Sequence, residues 1–110
     1  MNDSESLDIR RASVKALSKT NLPQAANILF RYYEDVNFVD ARQAIINMGD
    51  IAVSLLKVLA EQGSEMAMRD LVKVGTPYAR EILNGLLDYP NENVQKQAAL
   101  NLAEFSSLNN

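Results

Sequence analysis

Lys15, Arg42, Arg69 and Lys96 follow one another at a constant step of 27 residues, and that step constrains the chain more than any single motif in it. The same step joins Ala25 to Ala52 and Ala79, Ile28 to Leu55 and Ile82, and Leu29 to Leu56 and Leu83. It also joins the acids Glu34, Glu61 and Asp88, and the helix-capping residues Asn37, Ser64 and Asn91. A fixed period of roughly 20 to 50 residues marks supersecondary units that cannot bury their apolar faces alone and therefore stack. Such stacks present extended faces, which generally bind other macromolecules.

Within the period, apolar residues recur at helical spacing. Ile9, Ala12, Ala16 and Leu17 occupy i, i+3, i+7 and i+8, and Ile51, Ala52, Leu55, Leu56 and Leu59 form a second stripe of the same kind, which is not strand alternation. The spacing predicts helices over about 8–19, 23–35, 38–48, 50–62, 65–74, 77–88 and 92–105. Asn37, Ser64 and Asn91 are placed to accept from the free N–H groups of the third, fifth and seventh helices, with Asp40 completing a partial capping box. Pro23 and Pro77 open the second and sixth helices, where a missing N–H is harmless. Gly49 and Gly75 close the third and fifth, where a left-handed residue is favoured. Gly85 falls inside the sixth helix and reads as a point of close approach by a neighbouring helix.

Linkers of two or three residues make successive helices antiparallel neighbours. The expected fold class is therefore all-α, a short right-handed α-solenoid of about three and a half antiparallel helix pairs over 8–105, between a flexible N-terminus at 1–7 and a tail at 106–110. A compact bundle of the same helices is the alternative, but a bundle does not require a constant repeat length.

Composition narrows the chemistry. The chain of 110 residues, 47% apolar, fits one domain and has no run near ~18 apolar residues, so no membrane span is expected. Its polar, acidic start, MNDSESLD, lacks the basic-then-apolar order of a secretory signal, which points to a cytoplasmic location. There is no cysteine and no histidine, which removes thiol chemistry, disulfides and the commonest general base and transition-metal ligand. No cofactor and no metal is expected. A carboxylate pair could act as acid and base, but the repeat explains every such pair equally well, so the chain is read as not an enzyme. A net charge of −3 and a pI near 4.8 disfavour nucleic acid as partner, because that affinity comes from neutralising phosphates.

Ile9-Arg10-Arg11-Ala12-Ser13-Val14-Lys15-Ala16-Leu17, followed by Pro23-Gln24-Ala25-Ala26-Asn27-Ile28-Leu29, resembles a HEAT-like repeat. Ala41 to Asp50 and Val94 to Leu102 carry the same resemblance, which covers about residues 8–105 and is closest to the short-repeat branch found in phycobilisome lyases. The resemblance implies an armadillo-like α-solenoid that serves as a scaffold or adaptor. In the lyase branch it implies a lyase-like or chaperone-like accessory factor acting on bilin-bearing proteins.

Two surfaces emerge as candidates for binding another protein. In stacked helix pairs the second helix of each pair usually lines the concave side, and its outward positions here are Gln24, Asn27 and Arg31, then Ser54, Lys57 and Glu61, then Glu81, Asn84 and Asp88. This polar groove grades from neutral and basic to acidic and suits a basic segment. Phe30, Tyr32, Tyr33 and Phe38 hold four of the seven aromatic residues; they read first as a bulky core plug between two repeats, with Tyr32 packed, and alternatively as an anchor pocket in which Tyr33 is the exposed residue, tyrosine being common at interface hot spots. The second surface is the last helix, where Ala98, Ala99, Leu100, Leu102, Ala103 and Phe105 are apolar nearly all round. Either residues 106–110 fold back over them, or the helix packs against another protein or a second copy, and homodimerisation through Leu100 and Phe105 is the preferred reading.

The charge columns carry one more expectation. Glu34, Glu61 and Asp88 each precede Arg42, Arg69 and Lys96 by eight residues. Equal offsets across three turns read as a ladder of ion pairs that sets the angle between repeats, with little direct stabilisation from exposed pairs.

Overall fold

Six of the seven described helices begin within one residue of where the apolar stripes and caps place them. The computed structural model describes residues 3–20, 22–35 and 38–108, and among these it contains seven α-helices and no strand. They are α1 (Asp3–Leu17), α2 (Pro23–Phe30), α3 (Val39–Asn47), α4 (Asp50–Glu61), α5 (Glu65–Val74), α6 (Pro77–Leu86) and α7 (Glu92–Leu108). No single described helix is long and apolar enough to cross a membrane. Helix α1 starts at Asp3 and α7 runs to Leu108, beyond the expected helix limits of 8 and 105.

The chain divides into two compact units, Met1–Met48 and Gly49–Asn110. In the first, α3 packs against α1 and α2. Its core holds Val14, Ala25, Ala26, Leu29, Ala41, Ala44 and Ile45. Helix α2 stops at Phe30, five residues short of the expected end. Beyond it, Arg31, Tyr32 and Tyr33 donate their N–H groups to the carbonyls of Ile28, Leu29 and Phe30 at 3.2, 3.0 and 3.2 Å. These bonds three residues back tighten the chain out of the α-helix. The Asn37 cap lies outside the described residues.

The second unit shows how the turns are built. At the end of α4, Ser64 N–H reaches back to the Leu59 carbonyl at 3.0 Å and Gly63 N–H to that of Ala60 at 3.0 Å, with Gly63 at φ +97°. This is a Schellman termination. Ser64 then accepts from Ala67 N–H at 3.1 Å and starts α5. Gly75 closes α5 in the left-handed conformation, and Thr76 caps α6 by accepting from Ala79 N–H at 3.2 Å. Asn91 starts α7 by accepting from Val94 N–H at 3.1 Å. Gly49 has φ +61° but ψ −131°, and it serves as the N-cap of α4 rather than as a left-handed end to α3.

In this unit α4 packs on α5 and α6, and α5 and α6 each pack on α7. Ala52, Leu56, Ala79 and Leu83 are all fully buried, so two of the repeat columns point inward on α4 and α6. Each buried leucine contributes about 1.5–3 kcal/mol relative to exposure. The Thr76 hydroxyl also donates to the Asp50 carboxylate, joining the first turn of α4 to the first turn of α6.

Gly85 is exposed, and a Cβ built there meets nothing within 4 Å. The reading of close helix approach is therefore overturned: open solvent lies where a neighbour was expected. A Cβ at Gly63 meets nothing either, but φ +97° is a conformation that side chains resist. Gly85→Ala should raise stability by about 0.5–1 kcal/mol, whereas Gly63→Ala should lower it by about 1–2 kcal/mol. Thermal denaturation of both variants decides this, and shifts of the same sign would contradict the two environments.

Candidate functional site

The outward side of α6 carries the most complete set of expected binding residues. Glu81 and Asn84 lie one turn apart, and Asp88 follows in the turn after the helix; all three are exposed. Glu81 and Asn84 share an open depression of about 370 Å³ with Gly75, Pro77, Arg80 and Phe105. Pro77 and Phe105 give it an apolar lining, and Arg80 and Glu81 bring one charge of each sign. On α4, Lys57 is exposed and Glu61 is half-buried, in the same unit but outside this depression. Asn27 and Arg31 are exposed in the first unit.

Tyr33 does not fit its expected role. It is only 2% exposed, while Tyr32 is half-buried. The reversal follows from the early end of α2: a helical wheel extended through residue 33 misplaces the side chain once the backbone has tightened. Tyr33 stacks on Phe30 with ring centroids 5.2 Å apart, and Tyr32 meets Phe38 at 4.4 Å. The aromatic cluster is internal to the first unit, and Tyr33 is not available to a partner as an anchor.

Leu100 and Phe105 also separate. Leu100 is 65% exposed, but Phe105 is 5% exposed. Five residues along a helix turn the side chain by about 140°, so one face cannot hold both. Val94, Ala98, Asn101 and Phe105 make the inward stripe of α7, leaving Ala99, Leu100 and Ala103 outside. The buried Asn101 amide donates to the Gln97 carbonyl at 2.7 Å.

The ion-pair ladder does not form. Among the described residues, Glu34, Glu61 and Asp88 make no bridge within 4.0 Å to Arg42, Arg69 and Lys96 respectively. Helix α2 ends four residues before Glu34 and α6 two residues before Asp88, which carries these acids past the helical position the offset assumed. Exposed long side chains gain too little from such a pair to pull the turn into line.

One polar residue escaped the sequence reading. Asp70 on α5 is fully buried, with a carboxylate oxygen 3.8 Å from the Lys73 ammonium. Its position one turn after Ala67 and directly before Leu71 places it on the apolar stripe, and the 27-residue step joins it to Gln43 and Gln97. That polar column within an apolar pattern was the available signal. No group of three or more acidic side chains suited to a metal occurs among the described residues.

No family model matches the chain, and neither the curated proteins nor the solved structures contain a match to it.

Asp70→Ala should destabilise the second unit by about 1–3 kcal/mol, because the groups that face a buried carboxylate lose their partner. Urea denaturation measures this. An unchanged midpoint would mean that Asp70 is dispensable to packing.

Proposed function

We propose that the chain is a HEAT-like helical-repeat protein that acts as a non-enzymatic adaptor, holding a basic segment of another protein against the outward side of α6. The repeat reading is supported by packing between helices one repeat apart, α4 on α6 and α5 on α7. The bond from Thr76 to Asp50 supports it as well, since it links corresponding turns. A binding role in place of catalysis is favoured by a chain without histidine or cysteine and by depressions open to water.

The observation that carries the proposal is the state of Asp88. An acid just beyond the C-terminal end of a helix opposes the helix dipole, at a cost of a few tenths of a kcal/mol. Lys96, the base that would have offset it, is not paired with it. Glu81 is likewise exposed without an ion pair among the described residues. Glu81 and Asp88 together outnumber Arg80 on this side of α6, which favours a Lys- or Arg-bearing segment with an apolar side chain to seat near Phe105.

Selection from a random peptide display library should enrich basic peptides. Glu81→Lys combined with Asp88→Lys should weaken the selected peptides at least about 10-fold, the equivalent of about 1.4 kcal/mol, without lowering the melting temperature. Selected peptides without excess positive charge, or affinity indifferent to the double reversal, would refute the α6 site.

A further inference from the structure

Helix α7 carries a charge pattern that changes sign under a two-fold rotation about Leu100. Its outward face consists of Asn93, Lys96, Leu100, Glu104 and Ser107, all exposed. Lys96 and Glu104 stand four residues to either side of Leu100, each about 40° from its direction on the helix. Asn93 and Ser107 stand seven residues to either side, about 20° off. The face is therefore symmetric in position about Leu100 and opposite in charge.

A helix with this property complements a second copy of itself in antiparallel alignment. Residues equidistant from the axis on opposite sides come together, so Lys96 of one copy meets Glu104 of the other, twice over. A two-fold interface requires such self-complementarity, because the same patch serves both subunits. Neither Lys96 nor Glu104 forms an ion pair within the chain among the described residues, so both charges are available. At the centre Leu100 is 65% exposed, and the exposed Ala99 and Ala103 lie together on one side of it, where they let a second helix approach closely. Beside it is an open depression of about 180 Å³ lined by Glu65, Arg69, Gln97, Leu100, Asn101 and Glu104.

We infer that the chain forms an antiparallel homodimer through the outward face of α7, centred on Leu100 and held in register by two Lys96–Glu104 pairs between copies. This goes beyond the proposed adaptor role and does not depend on it: the face lies on α7 and uses none of Glu81, Asn84 or Asp88. A single-helix contact is smaller than the roughly 1,200–2,000 Å² of stable complexes, so the association is weak and concentration-dependent.

The test is a charge-swap mixing experiment by sedimentation equilibrium. The unmodified chain should rise from 12.2 kDa towards twice that mass with concentration. Lys96→Glu alone and Glu104→Lys alone place like charges at both contacts and should remain monomeric at the concentrations where the unmodified chain associates. Mixed one to one, they should recover the dimer, because both contacts become complementary again. An unmodified chain that stays monomeric up to about 1 mM, single variants that still associate, or a mixture that stays monomeric would each overturn the inference. If a charge variant loses its helical circular dichroism, cross-linking decides instead. The chain has no cysteine, so Leu100→Cys should give a disulfide dimer under mild oxidation far faster than Asn84→Cys on α6. Equal rates would refute the interface.

Discussion

Burial of apolar side chains against a neighbouring helix holds each of α2 to α7, whereas the Ile9, Ala12 and Ala16 stripe of α1 lies exposed and, among the described side chains of that helix, only Val14 is buried. The helices run from 8 to 17 residues, and lengths of this order are marginal in water, because nucleation costs several backbone torsions for one hydrogen bond. Their persistence comes from packing. Within Gly49–Asn110, Leu56, Leu71, Leu83 and Ala98 lose all contact with solvent and Val94 nearly all. The caps then decide where each helix begins and ends around that packing: Ser64, Thr76 and Asn91 each satisfy an N–H that the helix cannot. Stripe and cap are separate pieces of chemistry, and their agreement at the same residues gives the second unit its definition.

The charges follow a different logic. An exposed ion pair contributes little against the entropy of fixing two long side chains, so the charged columns had no energetic authority to set the turns. The turns were set by backbone hydrogen bonds at Gly63 and by the Thr76–Asp50 link. Glu81, Asp88, Lys96 and Glu104 are left on the surface without partners in the chain, among the described residues. Surface charge that does not stabilise the monomer is available for recognition, where it favours encounter and register more than affinity. Asp88 on the α6 side and Lys96 on α7 are thus two charges released by one failed ladder.

Several local features could not be read from spacing. Tyr33 was placed by continuing a helix that stops at Phe30, and once the chain tightens to bonds three residues back the wheel no longer applies. Gly85 looked like a packing glycine because it interrupts a helix, yet nothing approaches it. Leu100 and Phe105 looked like one patch because both are apolar and close in sequence, but a helix sends them to different sides. Asp70 carries the reverse lesson: an acid on an apolar stripe was passed over, although its burial makes it the most constrained charge in the second unit.

The amino-acid sequence by itself determined the helical class, the start of nearly every described helix, the capping residues at 64 and 91, and the inward direction of the Ala52–Ala79 and Leu56–Leu83 columns. These depend on near-neighbour chemistry: the 3.6-residue turn, the valence of free N–H groups and the cost of exposing apolar carbon. Tertiary structure alone decided which charges pair, which aromatic is covered, what surrounds a glycine and which side of α7 remains open. Those outcomes depend on what an adjacent helix places within a few ångströms, and a periodic pattern records the direction of a side chain without recording its neighbour.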